Sequence, residues 1–162
     1  MKTLFTAEPR SYFSLAARRN IFSEILVPTD FSTRSNRAVD YAVELARGLA
    51  SHLTLLHVVP APFALDYTLG GIPNGEWEMV RQLADRKLEA ALQRARIRYE
   101  KVDTLVRTGS DLHEEIVDAV MEVQAKLIVL SSHGYKGWKH VLFGNDADDL
   151  LLEVPCPALV IR

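Results

Sequence analysis

Short apolar runs recur along this chain, separated by longer stretches of helical periodicity. Ile25-Leu26-Val27 is stopped by Pro28-Thr29-Asp30, and Leu53 to Val59 by Pro60 and Pro62. Val102 to Thr108 is stopped by Gly109-Ser110-Asp111, and Leu127 to Leu130 by Ser131-Ser132-His133-Gly134. Ala158 to Ile161 forms the last run, after Pro155-Cys156-Pro157. Between the runs, apolar residues return every three or four positions. One face carries Ala38, Ala42, Leu45, Ala46 and Leu49; a second carries Trp77, Val80, Ala84, Leu88, Ala91 and Ala95. Ile116, Val120 and Val123 form a third face, and Ala147, Leu150 and Leu151 a fourth. Strand and helix thus alternate four times, and the strands read as continuous apolar runs. A strand buried on both faces reads that way, so the pattern predicts an α/β fold, a parallel sheet with helices on both faces. Ser32 can cap the first helix, and Asp111 with Glu114 has capping-box spacing for the third. A Gly- and Pro-rich loop up to Gly75 is longer than the usual βα connection.

With 162 residues the chain fits one domain with a sizeable core. A net charge of −2 gives no drive towards nucleic acid or an anionic membrane surface, so neither is expected as a partner. The single cysteine, Cys156, excludes an internal disulfide framework and suits a reducing compartment, hence a cytoplasmic location. No apolar run approaches the roughly 20 residues that span a bilayer. Residues 1–21 read as a separate N-terminal arm, with Lys2, Arg10, Arg18 and Arg19 against Glu8 alone. The arm lacks the continuous apolar region of a secretory signal and faintly resembles an organelle transit peptide. The simpler reading is a poorly ordered arm that packs Phe5, Tyr12 or Phe13 on its own or a partner subunit. Residues 22–162 form the domain.

The stretch from Lys126 to Asp146 carries the strongest functional pattern. A buried strand stops at small residues, a short polar loop holds Gly134 and Gly137, and Gly144-Asn145 heads a helical pattern. Backbone N–H groups in such a place face an anion with no side chain in the way. In open parallel sheets, ligands bind beyond the carboxyl ends of the strands, where strand order reverses. With strands one and four adjacent at that point, Asp30 stands across from Ser131, Gly134 and Gly144. No Walker-type phosphate loop and no zinc spacing occurs.

These residues carry a resemblance. Ile25 to Arg162 resembles a universal stress protein domain, through Val27-Pro28-Thr29-Asp30-Phe31-Ser32, Leu55-Leu56-His57-Val58-Val59, Ser132-His133-Gly134, Gly144, and Pro155-Cys156-Pro157 running into Leu159-Val160-Ile161. The resemblance implies a Rossmann-like, five-stranded sheet of order 3-2-1-4-5. It implies a homodimer, through the strand at 158–161, and in one branch of the family ATP binding with Mg. That branch is marked by glycine, two residues, glycine, nine residues, then glycine followed by Ser or Thr. Here Gly134 and Gly144 hold the second and third glycine positions. Ser131 replaces the first glycine, and Asn145 the Ser or Thr. Asp30 resembles the acid that faces the adenosine part, and Val58 the position whose backbone meets the adenine edge. The candidate nucleotide-binding residues are Pro28, Thr29, Asp30, Val58, Leu130, Ser131, His133, Gly134, Tyr135, Gly137, Gly144, Asn145 and Asp146. No metal ligand from the protein is assigned; Mg is expected on the phosphates. Asp146, Asp148 and Asp149 complement the dipole of the last helix but repel an incoming phosphate. Lys136, Lys139 and His140, or Mg held between an Asp and the phosphates, offset that repulsion.

The remaining polar and aromatic residues have plainer roles. His57, inside a strand, reads as a satisfied core histidine, and His133 as a residue that orients its loop. His52 and His113 read as surface residues at helix boundaries, Cys156 as packed at the sheet edge or dimer seam, and Trp77 and Trp138 as packing, with a lid over the phosphate loop as the alternative for Trp138. Three functions stand: a dimeric nucleotide-binding stress regulator, a dimeric stress scaffold without nucleotide, and a slow ATPase. No base or in-line nucleophile positioner supports the last, so no catalytic residue is assigned.

Overall fold

The structure is a computed structural model that describes residues 20–61, 74–131 and 153–162. The elements run β1 (Glu24–Pro28), α1 (Thr33–Leu49), β2 (His52–Pro60), α2 (Asn74–Arg96), β3 (Val102–Gly109), α3 (Leu112–Glu122), β4 (Leu127–Ser131) and β5 (Ala158–Ile161). The five strands form one sheet of order β3-β2-β1-β4-β5. Every pairing is parallel, from Ile25↔Leu53 and Ile25↔Leu127 at the centre to Ser131↔Ile161 at one flank. The open α/β sheet is the one the apolar runs predict, with the strand order that the resemblance implies.

Two hydrophobic layers explain why the runs are continuous. Ile25, Val27, Leu53, Leu55, Leu127 and Val129 point to one face, under α1 and α2. Leu26, Leu56, Val58, Ile128 and Leu130 point to the other, under α3. Successive side chains of a strand alternate between faces, and both faces here are dry. Each buried Leu or Val contributes about 1.5–3 kcal/mol relative to exposure. The predicted caps are in place. Ser32 Oγ accepts the Ser35 N–H at 3.2 Å, and Asp111 Oδ1 accepts those of His113 and Glu114 at 2.8 and 3.2 Å. Helix α1 ends on Ala50 in the left-handed region, φ 56°, with its N–H on Ala46 and Arg47. Of the arm, Asn20 and Ile21 are described; Asn20 Nδ2 donates to the Leu49 carbonyl and to Ser51 Oγ, both at 2.8 Å.

Three expectations need correction. Strand β3 is not a doubly buried run: only Val102 is fully buried, because β3 is an edge. Its Arg107 instead meets Glu115, Asp118 and Glu122 of α3 at 2.6, 3.2 and 2.6 Å. Val80 is 47% exposed; burial in α2 runs through Ala84, Leu88, Ala91, Leu92 and Ala95. His52 opens β2, half-buried between carboxylates, instead of lying on the surface at a helix boundary. The predicted helix near Asn145, Trp138 and the loop over 62–73 lie outside the described residues.

Candidate functional site

Strand β1 pairs with β2 on one side and β4 on the other, so strand order reverses at β1. The two ladders have different lengths. Pairing to β2 continues to Pro28↔Leu56, whereas pairing to β4 ends at Leu26↔Ile128, although β4 runs on to Ser131. Proline supplies the reason. Along a strand, backbone groups face alternate sides. Glu24 faces β4, its carbonyl accepting from Lys126, and Thr29 faces β2, its N–H donating to Leu56 at 2.8 Å. Pro28 therefore faces β4, where a ladder donor would be needed and proline has none. The hydrogen-bonded ladder between β1 and β4 therefore stops short of their carboxyl ends, at the place where sheets of this topology hold ligands.

Beyond Pro28 the chain turns sharply under a net of small hydroxyls. Thr29 is fully buried, and its Oγ1 accepts the Phe31 N–H at 3.1 Å and lies 3.1 Å from Ser35 Oγ. Ser35 Oγ lies 3.1 Å from the Ser32 carbonyl. Asp30 Oδ1 accepts the Ser32 N–H at 3.0 Å, an Asx turn that fixes the carboxylate against its own backbone. Phe31 takes φ 63°, a left-handed conformation that is strained for a residue with a large side chain.

His57 closes the turn from β2. Its Nδ1 lies 2.7 Å from the Thr29 carbonyl, so Nδ1 carries the proton and donates. Its ring packs on Phe31 with centroids 4.4 Å apart and planes at 38°. Burial pushes the imidazole below its ordinary titration range, and Lys87 adds to that; the Thr29 bond, Asp30 and Asp85 oppose it. The ring is therefore held neutral, as a structural donor. On the neighbouring residue, the Val58 side chain is buried under α3. The Leu56 carbonyl faces β1, so by alternation the Val58 backbone faces the same way, past the last β1–β2 pair.

The structure thus brings Pro28, Thr29, Asp30, Val58, Leu130 and Ser131 to one edge of three adjacent strands. Leu130 and Ser131 are buried, at 6% and 7% exposure, and Ser131 ends β4 with a small side chain. His133, Gly134, Tyr135, Gly137, Gly144, Asn145 and Asp146 lie outside the described residues, as do Lys136, Lys139, His140, Asp148 and Asp149. Sequence reasoning missed the reach of His57 to the turn and the left-handed Phe31. The cluster Thr29, Ser32 and Ser35 around a proline was the available signal. Elsewhere, His113 Nε2 lies 3.3 Å from Glu153 Oε2, and Cys156 packs against the α3 layer, where burial pushes its thiol up. Among the described residues, no group of three or more His, Cys, Asp or Glu could hold a metal ion, and no helix is long and apolar enough to cross a membrane.

Comparison with known proteins bears on the family and the fold. The model of the universal stress protein family matches residues 22–162. A universal stress protein of Methanocaldococcus jannaschii is 27% identical over all of this chain and 97% of its own length. A crystal structure from the same family in Burkholderia pseudomallei is 30% identical, with a TM-score of 0.69 over 87% of this chain and 96% of that one. A universal stress protein from Archaeoglobus fulgidus, in complex with dAMP, shares the fold at 24% identity, with a TM-score of 0.63 over 88% of this chain and 99% of that one.

Proposed function

The chain belongs to the universal stress protein family, and from that premise we propose that it is a stress-response regulator that binds an adenine nucleotide, ATP with Mg among them, between the carboxyl ends of β1 and β4. The observation that carries this reading is that Asp30, Val58 and Ser131 share the carboxyl edge of three adjacent strands, where strand order reverses and the β1–β4 ladder stops before Pro28. The donors and acceptors at that edge suit an adenosine. A carboxylate at Asp30 accepts from ribose hydroxyls or an adenine amine, and a backbone edge such as that of Val58 pairs with an adenine edge. The dAMP complex of the Archaeoglobus relative supports the ligand class. In this reading Gly134, Gly144 and Asn145 supply backbone and amide donors to the phosphates, and Mg sits on the phosphates. Nucleotide occupancy acts by favouring one of two conformations or assembly states, through a difference in affinity between them.

The reading includes a homodimer through β5. Leu159 and Val160 are 40% and 44% exposed on an edge strand, and bare apolar edges pair with other strands. Sedimentation at micromolar concentration checks it; monomer alone would remove the dimer from the proposal.

Thermal unfolding with and without millimolar Mg-ATP tests the nucleotide reading. A ligand at 100 times its Kd adds about 2.7 kcal/mol of stability. Gly144→Asp should remove that shift. Absence of any shift in the parent protein would leave the scaffold reading. Release of ADP that is lost on mutating Asp30 or Asn145 would favour hydrolysis.

A further inference from the structure

We propose that His57 is a positioning residue for the nucleotide site, holding the Thr29–Ser32 turn in the shape that sets where the Asp30 carboxylate stands. The proposal rests on the nucleotide reading and deepens it, by naming what fixes the acid.

The last β1–β2 pair is Pro28↔Leu56. One step on, the Thr29 N–H still reaches the Leu56 carbonyl at 2.8 Å. In a continued ladder the Thr29 carbonyl would accept from the Val58 amide. Here it accepts from the His57 ring at 2.7 Å. A side-chain donor comes from one face of the sheet, not from within it. It turns the Thr29–Asp30 peptide out of the strand plane and lets the chain depart.

The same ring then braces the departure. Phe31 at φ 63° is in a region that ordinary side chains avoid, so neighbours must hold it there. Its N–H is tied to Thr29 Oγ1 at 3.1 Å, and its carbonyl accepts from Asn36 Nδ2 at 3.3 Å. Its ring lies against His57 at 4.4 Å, with Lys87 Nζ 5.7 Å from the ring centre. His57 therefore grips the turn at Thr29 and at Phe31, and Asp30 is the one residue between. With its Oδ1 on the Ser32 N–H at 3.0 Å, the carboxylate is set by the shape of the turn that His57 holds on either side of it. The groups facing the imidazole are the Thr29 carbonyl, Asp30, Lys87 and Asp85.

The test compares His57→Leu with His57→Asn. Leucine fills the space without a donor. Asparagine places an amide N–H near the position of imidazole Nδ1 and can still serve Thr29. Calorimetric titration with Mg-ATP should show His57→Leu weakened about tenfold or more, the size of one misplaced hydrogen bond to a charged group, and His57→Asn within about threefold of the parent. The Ser32 amide provides a readout without nucleotide. Its exchange with water, followed by NMR, should quicken in His57→Leu and recover in His57→Asn. Parent-like Mg-ATP affinity in His57→Leu overturns the proposal. So does His57→Asn as weak as His57→Leu, which would trace the loss to packing. If the parent binds no Mg-ATP, the nucleotide reading fails by itself; unchanged Ser32 exchange in His57→Leu then overturns the positioning role, and faster exchange upholds it. If His57→Leu does not fold, Phe31→Leu replaces it: weaker Mg-ATP binding upholds the brace, and parent-like binding overturns it.

Discussion

β1 and β2 are pinned to each other at both ends by a histidine of β2, and the two pins work on opposite principles. At the amino ends, His52 lies 3.2 Å from Glu24 and 2.9 Å from Asp103, whose other oxygen meets Arg96 at 3.0 Å. These groups are half in water, and Asp103 is 61% exposed. Solvent and salt screen such contacts, and each holds little. At the carboxyl ends, His57 donates a neutral hydrogen bond to a carbonyl, and a fully buried Thr29 ties the turn to α1. There the cost of leaving a group unpaired is high, so geometry is strict. The end that only closes the sheet uses half-exposed polar contacts that water can share. The end that carries the Thr29–Ser32 turn uses buried donors and acceptors with one arrangement.

Three measurements test that contrast. The largest effect belongs to Thr29→Val, which keeps the volume but strips partners from the Phe31 N–H and Ser35 Oγ. A loss of about 1–3 kcal/mol is expected by urea unfolding; a loss under about 0.5 kcal/mol would place the rigidity of the turn elsewhere. Acidification comes next. Burial lowers the His57 titration below its ordinary 6.5, so the unfolded chain takes up the proton first as pH falls. The stability His57 contributes is present above about pH 6.5 and is lost as pH drops through its lower folded value. Urea midpoints at about pH 7.5 and about pH 5.5 should differ less in His57→Asn than in the parent; equal differences would clear His57 as the source. The smallest effect is expected at the other end. His52→Gln should cost at most about 1 kcal/mol at low salt, and less near 1 M salt, where the screening length is about 3 Å. A larger, salt-independent loss would show that the amino end is as strictly built as the carboxyl end.

The fold was legible because its central strands are dry on both sides. Ile25 to Val27 and Leu127 to Leu130 have no other way to be buried, and Ser32 and Asp111 mark helix starts by their own chemistry. β3 was less legible, since Asp103 and Arg107 belong to an edge whose partners lie on α2 and α3. Val80 keeps helical spacing with the core face, but periodicity does not say where a helix leaves the sheet. At the carboxyl edge, Asp30 and Ser131 stand out by type and place. The roles of Pro28 and His57 depend on which neighbour each backbone group faces and on a contact across 28 residues. The left-handed Phe31 leaves no local mark, because its strain is held by distant groups.

The central place of β1 has a consequence for synthesis. Its partner on one flank, β2, leaves the ribosome soon after it, whereas β4 begins only at Leu127. For the roughly hundred residues between, the nascent chain carries a central strand with one open flank. The second flank of β1 is therefore closed late in translation, and products truncated before Leu127 lack it.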